Sequence, residues 1–171
     1  MVRQGIILGL VLGAAFLAGC SGEPSSGPVA VKWDRDQCER CRMVLSDPFH
    51  AAQVRQPVAE GRTKIHLFDD FGCAVIWLDD QEWRDQPGVE FWVPDHRSGE
   101  WIDARTAFYV QGQVTPMEYG LGAQREQGEN GGMDYAQAHQ HVYEINRRFN
   151  AHHHLGGGVG SPNLEEGARS R

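Results

Sequence analysis

The sequence contains no apolar run long enough to span a bilayer, which takes roughly 20 residues. Its longest, Gly5 to Gly19, falls short of that. A basic stripe is also missing: 16 Lys and Arg face 23 Asp and Glu, for a formal net charge of −7. Nucleic acid is therefore not expected as a partner. There is no Gly-rich phosphate loop, no Ser–His–Asp order and no nucleophile elbow, so the chain is not expected to be an enzyme. No repeat recurs at solenoid spacing. Cysteine is scarce, with four in the chain, and only Cys38 and Cys41 form a close pair. No second C-x-x-C or H-x-x-x-H follows within the domain, so local spacing alone does not assemble a two-pair zinc site.

What the N-terminus does contain decides the compartment of those cysteines. Arg3 followed by the Gly5–Gly19 run matches a secretory signal peptide over residues 1–19. Its end, "LAGC" (Leu17 to Cys20), resembles the lipobox of bacterial lipoproteins, which implies lipidation at Cys20. The expected location is the periplasmic side of a bacterial membrane, and Ser21 after the cysteine favours the outer one. Several acyl chains would anchor the protein stably where one would not. Residues 20–30 are rich in Gly, Pro and Ser and read as a flexible tether. Residues 31–150 suffice for one domain with one core, and the His- and Gly-rich residues 151–171 read as a flexible tail.

The domain reads as α+β, with antiparallel hairpins and two helices. "HAAQVR" (His50 to Arg55) and "TKIHLF" (Thr63 to Phe68) are strands joined by a Pro- and Gly-containing loop. Asp69 or Asp70 can cap a helix whose Phe71, Ala74, Val75 and Leu78 recur at i, i+3, i+4 and i+7. "VEFWVPD" (Val89 to Asp95) is a strand and "EWIDARTAFYVQG" is further extended chain. Gly112 to Gly132 reads as loop plus a short strand. Asp134 can cap a second helix carrying Tyr135, Ala138, Val142, Ile145 and Phe149 on one face.

The chemistry sits in "DQCERCRMVLSDP" (Asp36 to Pro48). With Cys20 lipidated, three thiols remain, Cys38, Cys41 and Cys73, and an odd number cannot all pair internally. Three readings stand. A zinc half-site is a frequent use of C-x-x-C, but it needs two remote ligands. A dithiol–disulfide pair at Cys38 and Cys41 suits an oxidising compartment, although Pro48 leaves no room for the long helix that usually follows such a pair. Thiolate and thioether together select Cu(I). Cys41 and Met43 are two residues apart, and in an extended loop they would point the same way. A third ligand could come from Cys38, from Met117 in the loop "TPMEYG", or from a histidine. The residues favour copper.

Four blocks carry a wider resemblance: "CERCRMVLSDPFHAAQ" (Cys38 to Gln53), "FDDFGCAVIWL" (Phe68 to Leu78), "WIDARTAFYVQG" (Trp101 to Gly112) and "TPMEYGLGA" (Thr115 to Ala123). In this order and spacing the chain resembles the NosL-type accessory lipoproteins of nitrous oxide reductase, which are periplasmic copper carriers. The resemblance implies one Cu(I) held by Cys41 and Met43, with Met117 next and Cys38 auxiliary. It implies a fold of two related ββα-type halves. It also implies a copper-accepting enzyme, or its membrane maturation complex, as partner.

Other candidates have simpler expected roles. Cys73 lies in a buried helix pattern, where a free cysteine acts as a small hydrophobe. Asp69 and Asp70 are read as helix caps. His50 and His66 alternate with apolar residues and are read as structural, and the tryptophans as mostly core. His152 to His154 would end the last helix near its negative dipole.

Overall fold

The computed structural model describes residues 24–128 and 131–156. The segment read as a signal peptide, Cys20 and the residues from 157 onward lie outside the described residues. No helix among those described is long and apolar enough to cross a membrane.

The architecture is α+β, two helices over two antiparallel sheets. Among the described residues, six strands run in the order β1 (Ala52–Pro57), β2 (Thr63–Phe68), β3 (Glu90–Pro94), β4 (Trp101–Asp103), β5 (Phe108–Gln111) and β6 (Leu121–Gln124). Helix α1 (Phe71–Asp79) follows β2, and α2 (Tyr135–Gly156) closes the described chain. The larger sheet is ordered β2-β1-β3-β4, and β5 pairs with β6 in the smaller one. Each helix thus comes after an antiparallel hairpin, in keeping with a ββα order at both ends of the domain.

Local chemistry explains most boundaries. The β1–β2 register sets Ala52 opposite Phe68 and Val54 opposite His66. Asp70 caps α1, its Oδ1 accepting from the Gly72 backbone N–H at 2.9 Å. Asp134 and Gln137 form a reciprocal capping box at α2, with bonds of 2.8 and 3.0 Å. The α2 backbone runs to Gly156, so the helix continues past residue 150 through the three histidines.

The core lies between the large sheet and α1, where Phe71 stacks on Phe91 and tilts against Tyr109. Trp33, Trp77, Trp83 and Trp101 pack against this core, as expected. His66 is buried, with its ring 4.4 Å from Trp77. Burial holds its imidazole down at about 4, and Lys64 adds to the effect.

The N-terminal segment is less free than its composition suggests. The Gly27 N–H donates to Glu90 at 2.7 Å. The Val29 backbone exchanges two hydrogen bonds of 2.9 Å with the buried Gln53 amide. Arg55, also buried, donates to the Gly27 carbonyl and to Thr63. Buried polar groups on β1 need partners, and residues 27–29 supply them. The stretch read as tether is therefore docked on the sheet from Gly27 onward.

Candidate metal centre

The cysteine pair sits in a tight knuckle. Residues Asp36 to Leu45 fold back on themselves: Cys38 N donates to Met43 O at 2.8 Å, and Leu45 N to Asp36 O at 2.9 Å. The turn closes because Arg42 adopts a left-handed conformation, φ 66°, and its N–H returns to the Cys38 carbonyl at 3.1 Å. The Cys41 N–H points at the Cys38 sulfur, 3.5 Å away. Buried Leu45 pins the base of the knuckle. Glu39 N bonds to the Leu67 carbonyl on the edge strand β2 at 2.8 Å.

That docking brings the knuckle against the start of α1. Cys73 stands in the first turn of this helix, and Asp69 immediately precedes its cap. The donor atoms of Cys38, Cys41, Asp69 and Cys73 all lie within 4.8 Å of one another, a group that could hold a metal ion. All three cysteines are free thiols. Cys38, Cys73 and Asp69 are buried, while Cys41 is partly exposed. The cluster therefore has one side open to solvent.

Its electrostatics are uneven. The Cys41 thiol donates to Asp69 Oδ2 at 3.2 Å, and burial pushes Cys41 up to about 12. Cys38 is drawn down to about 7, chiefly because the Cys73 thiol donates to it. The same bond, together with burial, pushes Cys73 strongly upward. Cys38 is thus the first of the three to become a thiolate, the form that binds metal. Arg40 brings a guanidinium to the cluster, with Nη1 3.8 Å from Cys73 Sγ and 3.4 Å from the Tyr119 hydroxyl.

The neighbouring Asp70 has a different task. It is buried, and burial pushes its carboxyl up even though three donors surround it. Besides Gly72 N, these are the Thr115 hydroxyl at 2.6 Å and Met117 N at 3.0 Å, both on Oδ2. Asp70 thereby holds the 115–120 loop onto α1. The Asp doublet divides its labour: Asp70 caps and clamps, and Asp69 faces the thiols.

The four residues expected from the sequence to bind metal are placed differently from one another. Cys38 and Cys41 are both in the cluster. Met43 is 49% exposed, and the chain between it and Cys41 is not extended but turns left-handed at Arg42. The alternation that would point Cys41 and Met43 the same way does not apply across that turn. Met117 packs against the core and lines an open groove of ≈ 400 Å³ together with Arg40, Tyr119 and Phe149.

Two members of the cluster are not among the metal ligands that the sequence indicates. Cys73 is in the core, as its helix pattern indicates, yet its sulfur joins the other two thiols. The odd thiol count was the signal that could have found it. Asp69 was masked by its neighbour, since either carboxylate could have been the cap. Compared with protein-family models, with curated proteins and with solved structures, the chain gives no match in any of the three.

Proposed function

We propose that the protein is an exported, lipid-anchored carrier of Cu(I), delivering copper for the assembly of a copper enzyme. The convergence of three free thiols in one partly open cluster carries this reading. Three sulfurs form a soft donor set, and soft donors favour Cu(I) over hard cations. The buried pair, Cys38 and Cys73, would retain the ion, while Cys41 offers solvent-side access for ligand exchange with an acceptor. Met43 is half-exposed two residues beyond Cys41, and on this reading its thioether would take part in passing the ion on.

The four sequence blocks and the lipobox support the finer reading of a NosL-type protein. On that reading Cys20 carries the lipid at the periplasmic face of the membrane. The acceptor is then nitrous oxide reductase or a similar exported enzyme, reached through a membrane maturation complex. The test is Cu(I) titration of the reduced full-length chain, in detergent micelles, against a chromophoric competing chelator. Cys41→Ser and Met43→Leu are run beside it, singly and together. One tightly held Cu(I) per chain is expected, with a large loss in the double variant. A wild type that competes no better than the double variant overturns the reading. Cys73→Ser separates it from a thiol–disulfide role, which needs only the two knuckle thiols.

A further inference from the structure

We propose that Asp69 is the fourth ligand of the thiol cluster and the residue that decides which ions it keeps, so that the centre also takes Zn(II) as a four-coordinate Cys3Asp site. The inference rests on reading the cluster as a metal site, and adds a ligand and a second ion to it. Asp69 is 2% exposed, and its Oδ1 is buried with no hydrogen-bond partner among the described residues. A buried carboxylate oxygen without a partner costs several kcal/mol unless something compensates it. Helix capping does not, because Asp70 already caps α1. The other oxygen, Oδ2, accepts the Cys41 thiol proton, which a bound cation would displace.

The dimensions suit a tetrahedral ion. With Zn–S bonds of about 2.3 Å, sulfurs in a tetrahedron stand about 3.8 Å apart. The four donor atoms here lie within 4.8 Å of one another, so closing on an ion takes a shift of about 1 Å or less at each, within side-chain rotation. The knuckle favours the same outcome, because the Cys41 N–H already points at the Cys38 sulfur. Charge is compensated locally. Three thiolates, one carboxylate and Zn(II) leave two negative charges, which face the Arg40 guanidinium and the N-terminal turn of α1. Binding releases to solvent whatever protons the three sulfurs still carry.

Asp69 discriminates because the two ions want different things. Cu(I) is satisfied by two or three soft sulfurs and gains little from a carboxylate oxygen, whereas Zn(II) uses sulfur and oxygen together and fills four positions. The isosteric change Asp69→Asn should therefore weaken zinc and spare copper. The reduced full-length chain in detergent is loaded with Co(II), which Zn(II) then displaces. The thiolate-to-cobalt absorption reports the cluster alone and is silent to the histidines of the tail. We expect Asp69→Asn to weaken Zn(II) about tenfold or more, with Cu(I) affinity within about threefold of wild type. Asp69→Cys should restore zinc and raise the sulfur count at the zinc absorption edge from three to four. Zinc affinity unchanged in Asp69→Asn, equal loss of both ions, or no added sulfur in Asp69→Cys overturns the proposal. A wild type that holds Cu(I) but not Zn(II) sinks only this inference, whereas one that holds neither sinks the carrier reading as well.

Discussion

Two hairpin–helix units share an order of elements and little else. In the first, β1 and β2 lead into α1, whose residues from Phe71 to Ile76, and Leu78, are all buried. In the second, β5 and β6 lead into α2, a helix of 22 residues buried at Ala138 and Val142 and half-open along much of its described length. The first helix is covered on several sides, by the large sheet and by α2. Such cover makes its first turn a place where a thiol and a carboxylate are held out of water. The second helix covers without enclosing, and its polar side chains make surface ties. Its His139 and Tyr143 both reach Asp79 at the end of α1, at 2.7 and 2.8 Å. The same local order gives a reactive interior in one unit and a lid in the other, and burial makes the difference.

The contrast can be broken hardest where the units touch. Tyr119, from the loop before β6, lies flat on Gly72 in the first turn of α1, and an added Cβ there would overlap its ring. Gly72→Ala is expected to cost about 3 kcal/mol, read as a lower urea midpoint with an unchanged slope. Replacing Tyr119 by Ala in the same chain should return part of that loss.

Acid should then weaken the first unit specifically. His66 is buried and neutral, and its folded-state value of about 4 lies below the 6.5 of an unperturbed histidine. The unfolded chain therefore binds the extra proton first, and stability falls as pH drops from about 6.5 through 4. The loss amounts to about 3 kcal/mol when complete. His66→Gln should flatten the stability–pH curve across that window in denaturant titrations at successive pH values.

Metal affinity sharpens the comparison at a single atom. Cys73→Ser removes a sulfur from the cluster but little volume from the core, and should weaken Cu(I) by about 100-fold or more, above the usual effect of an outer supporting residue. Ala at His139 or His141, on the covering helix, should leave copper affinity unchanged in the same competition assay. The smallest effect is expected at the tie between the helices. Tyr143→Phe deletes one hydrogen bond to Asp79, worth about 1 kcal/mol, and should lower the thermal midpoint by a few degrees without altering metal binding.

Much of this was legible in the sequence where the physics is local. The β2 strand falls on Thr63 to Phe68 as its composition indicates, and β1 runs from Ala52 to Pro57, two residues beyond the expected His50 to Arg55. Both helices start at their capping aspartates, because a cap acts on an N–H two or three residues away. The segment before Gly112 proved to be two short strands separated by a turn at 104–107, which an extended pattern does not resolve. The site was legible only as far as the knuckle pair. Cys41 meets Asp69 across 28 residues and Arg40 meets Cys73 across 33, and nothing in the spacing of either stretch encodes the other.

The α+β class, the two helix starts, the scarcity of cysteine and the soft character of its donors are written in the order of residues alone. These follow from side-chain chemistry and periodicities that operate within a few residues. Folding settles which aspartate caps and which faces the thiols, and makes Cys73 a member of the cluster as well as of the core. It also decided that Arg42 turns the chain between Cys41 and Met43. The reason is that a knuckle finds its remaining partners only once Glu39 has hydrogen-bonded to β2 and α1 has packed on the sheet. Those long-range contacts are set by burial, which one and the same order of elements resolves in opposite ways in the two halves of this chain.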